Sequence, residues 1–321
     1  MTQGPRADGK EPSYHLPVLA SEVMEVFEPL ESGVVVDATF GGGGHAKRML
    51  DEMKGIRIVG IDRDPDALAN APELESGRLS VLAGNFAEMP RLLDEAGVEA
   101  PVGFLFDLGV SSHQFDRGER GFSYRHDGPL DMRMGPDASL DADEVVNHWD
   151  ADRLADAIRR FGEDRLAGRI ARAIVAARPI SSTGRLAEVI AEATPAPLRR
   201  RGHPARRTFQ AIRIAVNDEL AALRSGLDAA LGLLAPGGRC AVISYHSLED
   251  RIVKRRFADG ARGCVCPPDF PVCVCDHAAE LRLLTRRPIE PTTAEIEENP
   301  RSRSARMRAV EKLDQDEGVP R

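Results

Sequence analysis

The chain has 321 residues, of which 42% are hydrophobic and 29% are charged, as is typical of a soluble globular protein. Because domains usually contain about 150 residues, a chain of this length is expected to form about two domains. The formal net charge of −8 at pH 7, taken alone, argues against a nucleic-acid-binding protein. The sequence shows neither a membrane-spanning apolar run nor a hydrophobic signal segment. We therefore expect a cytoplasmic protein with no membrane partner.

The N-terminal part predicts a tail and a first helix. Residues 1–13 are polar and rich in Pro and Gly, so we predict a disordered tail. A short helix is predicted near residues 21–27, with Ser21 as its candidate N-cap.

The next stretch combines a strand, a glycine-rich turn and the start of a helix. Three valines at 34–36 predict a buried strand, because β-branched side chains suit a sheet that is covered on both faces. Four glycines at 41–44 allow a sharp turn and a close approach of the backbone to a ligand. Residues 46–50 predict a helix whose first N–H groups face the loop. This arrangement is typical of a small-molecule site at the carboxyl end of a parallel sheet.

Two acids indicate which ligand the turn binds, since the glycine pattern from Gly41 also fits a dinucleotide fingerprint. Asp37 precedes the turn, where a dehydrogenase strand usually has an apolar residue, and its carboxylate favours a cationic ligand. Asp62 ends the next apolar run, where an acid can accept both hydroxyls of a ribose. A nucleoside with a nearby positive charge indicates S-adenosylmethionine rather than NAD.

Short apolar runs alternating with helical segments predict an α/β fold with a doubly wound, parallel sheet. The first runs lie at 34–37, 56–62, 78–83, 102–107 and 239–245, and the candidates for two further strands lie at 281–289 and 304–313. A strand–helix–strand unit takes about 30 residues. The much longer interval between Asp107 and Ile243 therefore contains an insertion, and its apolar residues recur at helical spacing.

Asp107 ends the fourth predicted strand, beside the place where the strand order is expected to reverse. Its carboxylate can accept a hydrogen bond from an exocyclic amine and orient the nitrogen toward a methyl donor. A turn or helix N-cap role is the alternative. His45 either directs its backbone N–H at the ligand or is a solvated residue of the first helical turn. Few other catalytic side chains are expected, because methyl transfer depends mainly on alignment.

The insertion contains a basic segment without acidic residues between 195 and 217. Its arginines are Arg199, Arg200, Arg201, Arg206 and Arg207. Guanidinium groups match phosphate geometry, so we favour RNA or DNA binding over a solvated loop paired with local acids. Phe209 lies in phase with the apolar face of a long amphipathic run that continues to Leu234, which predicts a core residue. We predict that the later part of this run is the crossover helix that returns to the sheet.

Four cysteines form two C-x-C pairs, at Cys264, Cys266, Cys273 and Cys275. In a reducing cytosol such clustering indicates a metal before a disulfide, and zinc would close the loop as a structural site. The usual zinc spacing is C-x-x-C, so four reduced thiols on a surface loop are the alternative.

Longer motifs run in order along nearly the whole chain. They are HLPVL at 15–19, DATFGGGGH at 37–45, GIDRDP at 60–65, DLGVSS at 107–112, RGFS at 120–123, DGPLDMRM at 127–134, RTFQA at 207–211, SYHSLEDR at 244–251 and NPRSRS at 299–304. Together they resemble the MraW family of bacterial 16S ribosomal RNA cytosine-N4 methyltransferases. The resemblance implies methyl transfer from S-adenosylmethionine to N4 of one cytidine in the decoding region of 16S rRNA. The partner would be 16S rRNA or the small ribosomal subunit.

The same resemblance implies a class I, Rossmann-like methyltransferase sheet with an inserted helical substrate domain. The S-adenosylmethionine-binding domain would comprise residues 14–112 and 215–321, and the RNA-binding insert residues 113–214. The implied cofactor contacts are Gly43, Gly44, His45, Asp62, Phe86, Asp107 and Gln114.

The chain departs from a pattern of other amine methyltransferases. Many of them have an Asp/Asn-Pro-Pro-aromatic motif after the fourth strand, whereas this chain has DLGV at 107–110. Ser111 and His246 are therefore secondary catalytic candidates for orienting the amine. The alternative functions are an NAD-dependent oxidoreductase and a non-catalytic RNA-binding assembly factor.

Overall fold

The computed structural model describes residues 17–71, 77–110, 114–115, 117–200, 202–264, 266, 270, 275 and 277–314. These residues form an α/β fold around one seven-stranded sheet. The tail predicted at 1–13 lies outside them. Among the described helices, none combines the length and the apolarity that a membrane crossing requires.

The strands are β1 (Gly33–Asp37), β2 (Ile56–Asp62), β3 (Leu79–Ala83), β4 (Gly103–Asp107), β5 (Arg239–Ser244), β6 (Leu281–Leu283) and β7 (Arg306–Lys312). Their order across the sheet is β3-β2-β1-β4-β5-β7-β6. The first five strands are parallel, and β7 pairs antiparallel with both β5 and β6. The first five predicted strands are confirmed. The sixth is shorter than predicted, with only an isolated bridge from Ile289 to Met307 beyond it.

The helices are α1 (Ala20–Phe27), α2 (Gly44–Glu52), α3 (Pro65–Asn70), α4 (Met89–Glu95), α5 (Ala151–Phe161), α6 (Ala167–Ala176), α7 (Thr183–Ala193), α8 (Ala196–Arg199), α9 (Arg206–Asn217), α10 (Glu219–Leu233), α11 (Ser247–Gly260) and α12 (Thr293–Glu298). The prediction of Ser21 as an N-cap is wrong. The helix begins at Ala20, and the capping position is Leu19, which has a left-handed backbone with φ 51°. The Leu19 N–H donates to the Glu295 carboxylate at 2.8 Å.

The apolar residues form separate cores. Two cores cover the two faces of the sheet, the first around Phe27, Met49 and Leu105 and the second around Phe106, Leu223 and Leu227. The buried residues of a third core all lie between Phe122 and Val216, in the long interval between β4 and β5. They come mainly from the helices α5, α6, α7 and α9, because the apolar residues of these helices repeat at helical spacing.

The amphipathic run from Phe209 to Leu234 forms two helices, because the chain breaks at Asp218. The later helix, α10, packs against the sheet, as predicted for the crossover helix. Asp218 has a left-handed backbone with φ 48°, and it both ends α9 and precedes α10. The break separates residues that serve different cores, since Val216 belongs to the core of the insertion and Leu223 to that of the sheet. Across the break, Arg213 donates to both carboxylate oxygens of Glu219, at 2.8 and 2.7 Å.

A pair of Leu→Ala substitutions tests the core of the insertion. Leu186 is fully buried in α7, whereas Leu198 is 42% exposed. We expect Leu186→Ala to lower the free energy of unfolding by about 2–5 kcal/mol, because it leaves a cavity. Leu198→Ala should change it by less than about 0.5 kcal/mol. The measurement is urea unfolding followed by the fluorescence of Trp149, the single tryptophan, which lies in this core. Equal losses in both variants would contradict the described packing.

Candidate active site

Four strands end at one edge of the sheet with polar side chains. Asp37, Asp62 and Asp107 are the last residues of β1, β2 and β4, and Tyr245 directly follows β5. The strand order reverses between β1 and β4. Ligands of open α/β sheets bind in the crevice at such a reversal. This edge is therefore the candidate active site.

The glycine turn closes against the tip of β2. Gly41 and Gly43 have left-handed φ angles of 52° and 69°, which a side chain would strain, and Gly43 immediately precedes α2. The Gly41 N–H donates to the Asp62 carboxylate at 2.7 Å, and the second oxygen of that carboxylate accepts from the Asp64 N–H at 2.8 Å. Burial raises the pKa of Asp62, although these two hydrogen bonds oppose the shift.

Asp37 lies beneath the turn and is only 2% exposed. Burial raises the pKa of its carboxyl from 3.8 to about 7, and the charges of Asp107 and Asp62 add to the increase. Interaction with His45 and the Thr39 N–H partly offsets the shift. The carboxyl therefore changes its charge near neutral pH, and a cation bound beside it would stabilise the ionised form.

Asp107 is held at the reversal by three contacts. The Tyr245 hydroxyl donates to Oδ1 at 2.7 Å, and the Asp107 N–H donates to Thr39 Oγ1 at 2.6 Å. The second oxygen, Oδ2, lies 3.6 Å from His45 Nε2. Burial and the neighbouring Asp107 charge raise the pKa of Tyr245 well above its ordinary value, so the hydroxyl keeps its proton and remains a donor. Tyr245 does not donate to Oδ2, so this oxygen can accept a hydrogen bond from a ligand.

His45 indicates that a ligand completes this edge. Its side chain is buried at the start of α2, and Nε2 has no hydrogen-bond partner among the described residues. A buried polar atom without a partner costs about 1–3 kcal/mol. Such an atom in the crevice, beside a turn without side chains, fits a bound polar ligand.

The remaining predicted cofactor residues lie around the second and third strands. Gln114 is buried, and its amide donates to the Asp64 carboxylate at 2.5 Å, two residues beyond Asp62. Arg120 donates to the same carboxylate at 3.1 Å. Phe86 follows β3 and meets Phe106 of β4 edge-to-face, with ring centroids 5.6 Å apart. The structure therefore brings Gln114 to the β2 loop, which its position in the sequence did not predict.

His246, a secondary catalytic candidate, is the N-cap of α11. Its Nδ1 accepts from the Glu249 N–H at 3.4 Å, and the Glu249 carboxylate accepts from the Tyr245 and His246 N–H groups at 2.9 and 3.2 Å. Burial pushes the pKa of Glu249 upward, but the charge and hydrogen bond of His246, the charge of Arg213 and the hydrogen bond from the Tyr245 N–H bring it below its ordinary value. This capping box fixes the backbone of Tyr245. Ser111, the other secondary candidate, lies outside the described residues.

The basic segment is exposed where the structure describes it. Arg199, Arg200, Arg206 and Arg207 are exposed, and Arg201 lies outside the described residues. Phe209 is buried, as predicted, and meets Tyr124 edge-to-face at 5.7 Å.

Glu163 connects the basic segment to the helix α11. Arg207 donates to the backbone carbonyl of Glu163 at 3.3 Å. The Glu163 carboxylate accepts from the Ser247 hydroxyl and, at 3.0 Å, from Arg251, both on α11. The basic segment is therefore joined to the helix that begins beside Tyr245.

The roles of two hydroxyl groups in the site were not predicted from the sequence. The Tyr245 hydroxyl and the Thr39 hydroxyl both hold Asp107, yet neither residue was assigned a role. The signal was available, because residues that follow neighbouring parallel strands meet at one edge. Of the four clustered cysteines, Cys264, Cys266 and Cys275 come together, and Cys273 lies outside the described residues.

Comparisons with known proteins agree over nearly the whole chain. The model of the MraW methylase family matches residues 12–313. A protein named ribosomal RNA small subunit methyltransferase H from Symbiobacterium thermophilum is 52% identical over 308 residues, which is 94% of this chain and 97% of that protein. Its namesake from Geobacter sulfurreducens is 51% identical, covering 93% of this chain and 99% of that protein. A solved rRNA methylase from Streptococcus thermophilus is 11% identical with a TM-score of 0.41, covering 91% of this chain and 95% of that one.

An Asp37→Asn substitution tests the burial of this carboxyl. With its folded pKa raised to about 7, Asp37 stabilises the fold fully below pH 4 and loses that contribution as the pH rises to about 7. The amide of the variant would not titrate. We expect the free energy of unfolding of the variant, relative to that of the unaltered protein, to increase by a few kcal/mol between about pH 4.5 and 7, which covers most of the interval between the two pKa values. Urea unfolding followed by circular dichroism measures it, and parallel pH profiles would contradict the shift.

Proposed function

Because the chain belongs to the MraW methylase family, we propose that it is an S-adenosylmethionine-dependent methyltransferase of small-subunit ribosomal RNA. We further propose that its acceptor is N4 of one cytidine in the decoding region of 16S rRNA. The observation that supports this most directly is the Asp107 carboxylate, held by Tyr245 at the strand reversal beside the glycine turn. The family argues against the alternative of an NAD-dependent oxidoreductase.

The proposed donor site comprises the glycine turn and the acids around it. Gly43 and Gly44 would let the backbone approach the ligand, and Asp62 would accept the ribose hydroxyls, as acids at the tip of a second strand do. S-adenosylmethionine supplies an electrophilic methyl group when it is bound. Asp37 would stabilise the positive charge of the donor, and His45 Nε2 would gain a polar partner. Phe86 and Gln114 complete the proposed set of cofactor contacts.

The proposed acceptor site centres on Asp107 Oδ2. Because Tyr245 occupies Oδ1, Oδ2 is the oxygen that can accept an N–H of the cytidine amine. This hydrogen bond would orient the amine nitrogen, whose lone pair is otherwise delocalised into the base. The nitrogen loses a proton when it is methylated, and Asp107 Oδ2 is positioned to receive it. His246 would act through the backbone of Tyr245, as a positioning residue.

The proposed RNA-binding surface lies on the insertion, residues 113–214. The arginines of its basic segment, Arg199–Arg201, Arg206 and Arg207, would contact phosphates, while a cytidine reaches the strand edge. A base inside a helix cannot reach Asp107, so the nucleotide must be unstacked or already single-stranded. The link from Arg207 through Glu163 to α11, the helix that begins beside Tyr245, supports a connection between this surface and the acceptor site.

Mass mapping of 16S rRNA tests the proposed reaction. RNA from cells lacking the protein should lose one methyl group on a decoding-region cytidine, and the unaltered gene should restore it. Asp107→Asn keeps the shape but removes the charged acceptor, so we expect methylation to fall by about 100-fold or more. Tyr245→Phe should lower methylation less.

Asp94→Asn, an exposed acid on α4, is the matched control and should restore methylation fully. Full methylation with Asp107→Asn would remove Asp107 from catalysis and favour a non-catalytic assembly factor. Loss of a methyl group from another base or atom would contradict the cytidine N4 acceptor.

A double arginine substitution tests the RNA surface. With Arg206→Ala and Arg207→Ala, two phosphate contacts are lost, so log affinity should depend less steeply on log salt, by about 1.4–1.8 units of slope. Filter binding of a 16S rRNA fragment at several salt concentrations measures the slope. Arg159→Ala with Arg160→Ala, two exposed arginines on α5 near Asp156, is the matched control. An unchanged slope in the first variant would exclude direct phosphate contact.

A further inference from the structure

The cysteine segment follows α11 and leads into β6, and its two ends are held together. The Glu280 N–H donates to the carbonyl of Gly260, the last residue of α11, at 2.8 Å. Gly260 also lies against the Leu281 side chain, so closely that an added Cβ would be 2.5 Å from it. The two ends of the cysteine segment therefore lie beside each other at the edge of the sheet.

Three thiol groups converge within this segment. The Sγ atoms of Cys264, Cys266 and Cys275 all lie within 4.8 Å of one another. Those of Cys264 and Cys275 are 3.7 Å apart, although the residues are separated by 11 positions. Sequence proximity alone therefore does not bring them together.

The sulfur separation distinguishes a metal site from a disulfide. Bonded sulfurs in a disulfide lie about 2.05 Å apart. Thiolates around tetrahedral zinc have Zn–S bonds of about 2.3 Å, which places neighbouring sulfurs about 3.8 Å apart. The observed 3.7 Å matches an edge of this tetrahedron. The Cys266 N–H also donates to Cys264 Sγ at 3.4 Å, a contact that stabilises a thiolate ligand.

We propose that Cys264, Cys266 and Cys275 bind one Zn²⁺ ion through their thiolates. Each thiol loses its proton to solvent when the metal binds, and no electron is transferred. Cys273, the fourth cysteine of the segment, lies outside the described residues. The ion would have a structural role, because β5 and β7 separate β6 from β4, where Asp107 lies.

The composition of the segment explains why it would need a metal. Its sequence contains Pro267, Pro268 and Pro271, which have no backbone N–H to donate, and among its described residues Cys264 and Phe270 are exposed, Phe270 by 53%. Exposed side chains offset little of the entropy of ordering a chain. The free energy of zinc binding would compensate for the entropy that is lost when the segment is ordered.

Metal analysis of the full chain, purified without chelator from zinc-supplemented cells, tests the proposal. We expect about one zinc ion per chain by plasma mass spectrometry, as a single tetrahedral site requires. Cys264→Ser with Cys275→Ser should lose the zinc. Cys240→Ala alters the fifth cysteine, buried in β5, and should keep it. Circular dichroism confirms that both variants fold.

Three results would overturn the proposal. The first is unaltered protein without zinc, and the second is zinc retained by the double variant. The third is an intact mass two hydrogens lower without reductant, which would show a disulfide. Replacement of the zinc by Co²⁺ gives an independent readout, because thiolate-to-cobalt absorption bands report tetrahedral sulfur ligation. These measurements do not depend on methyl transfer, so they remain valid if the proposed reaction is wrong.

Discussion

Three carboxylates share one edge of the sheet, and the site depends on how each of them is stabilised there. Asp62 accepts from the backbone of the glycine turn, and Asp107 accepts from the Tyr245 hydroxyl. Burial is the main reason that the pKa of Asp37 rises to about 7, and the charges of Asp107 and Asp62 add to the increase. The hydrogen bonds to Asp62 and Asp107 also position the turn and the proposed acceptor oxygen. Stability and proposed chemistry therefore depend on the same few contacts.

The insertion contacts the edge of the sheet at which the three carboxylates lie. Gln114 and Arg120 both reach the Asp64 carboxylate, directly after the tip of β2. On the other side, Glu163 contacts α11, which begins beside Tyr245. The insertion therefore contacts both flanks of the crevice, although its apolar core is separate.

The sequence predicted those features that depend on local pattern. The valine-rich strands, the glycine turn and the buried Phe209 follow from side-chain shape and periodicity. The α/β fold class with an inserted helical segment is confirmed. The contact between Tyr245 and Asp107 was not predicted, although the two residues, 138 positions apart, end neighbouring predicted strands, because the sequence does not show which side chains form a hydrogen bond at a shared edge. The break at Asp218 was not predicted, because apolar residues continue at helical spacing on both sides of it. Only the structure shows that the residues before and after the break pack into different cores. Ser21 was misplaced because a left-handed Leu19 starts the helix without a polar cap.

The junction between α9 and α10 determines how the protein can accommodate a large ligand. A single residue, Asp218, connects the two helices, and the ion pair of Arg213 and Glu219 spans them in a largely buried setting. Asn217 also donates to the Met132 carbonyl and accepts from the Met134 N–H. Swinging the insertion about this point would separate the ion pair and break the Asn217 hydrogen bonds, leaving buried charged and polar groups uncompensated. A large ligand that docks on the insertion would therefore meet a joint that resists bending.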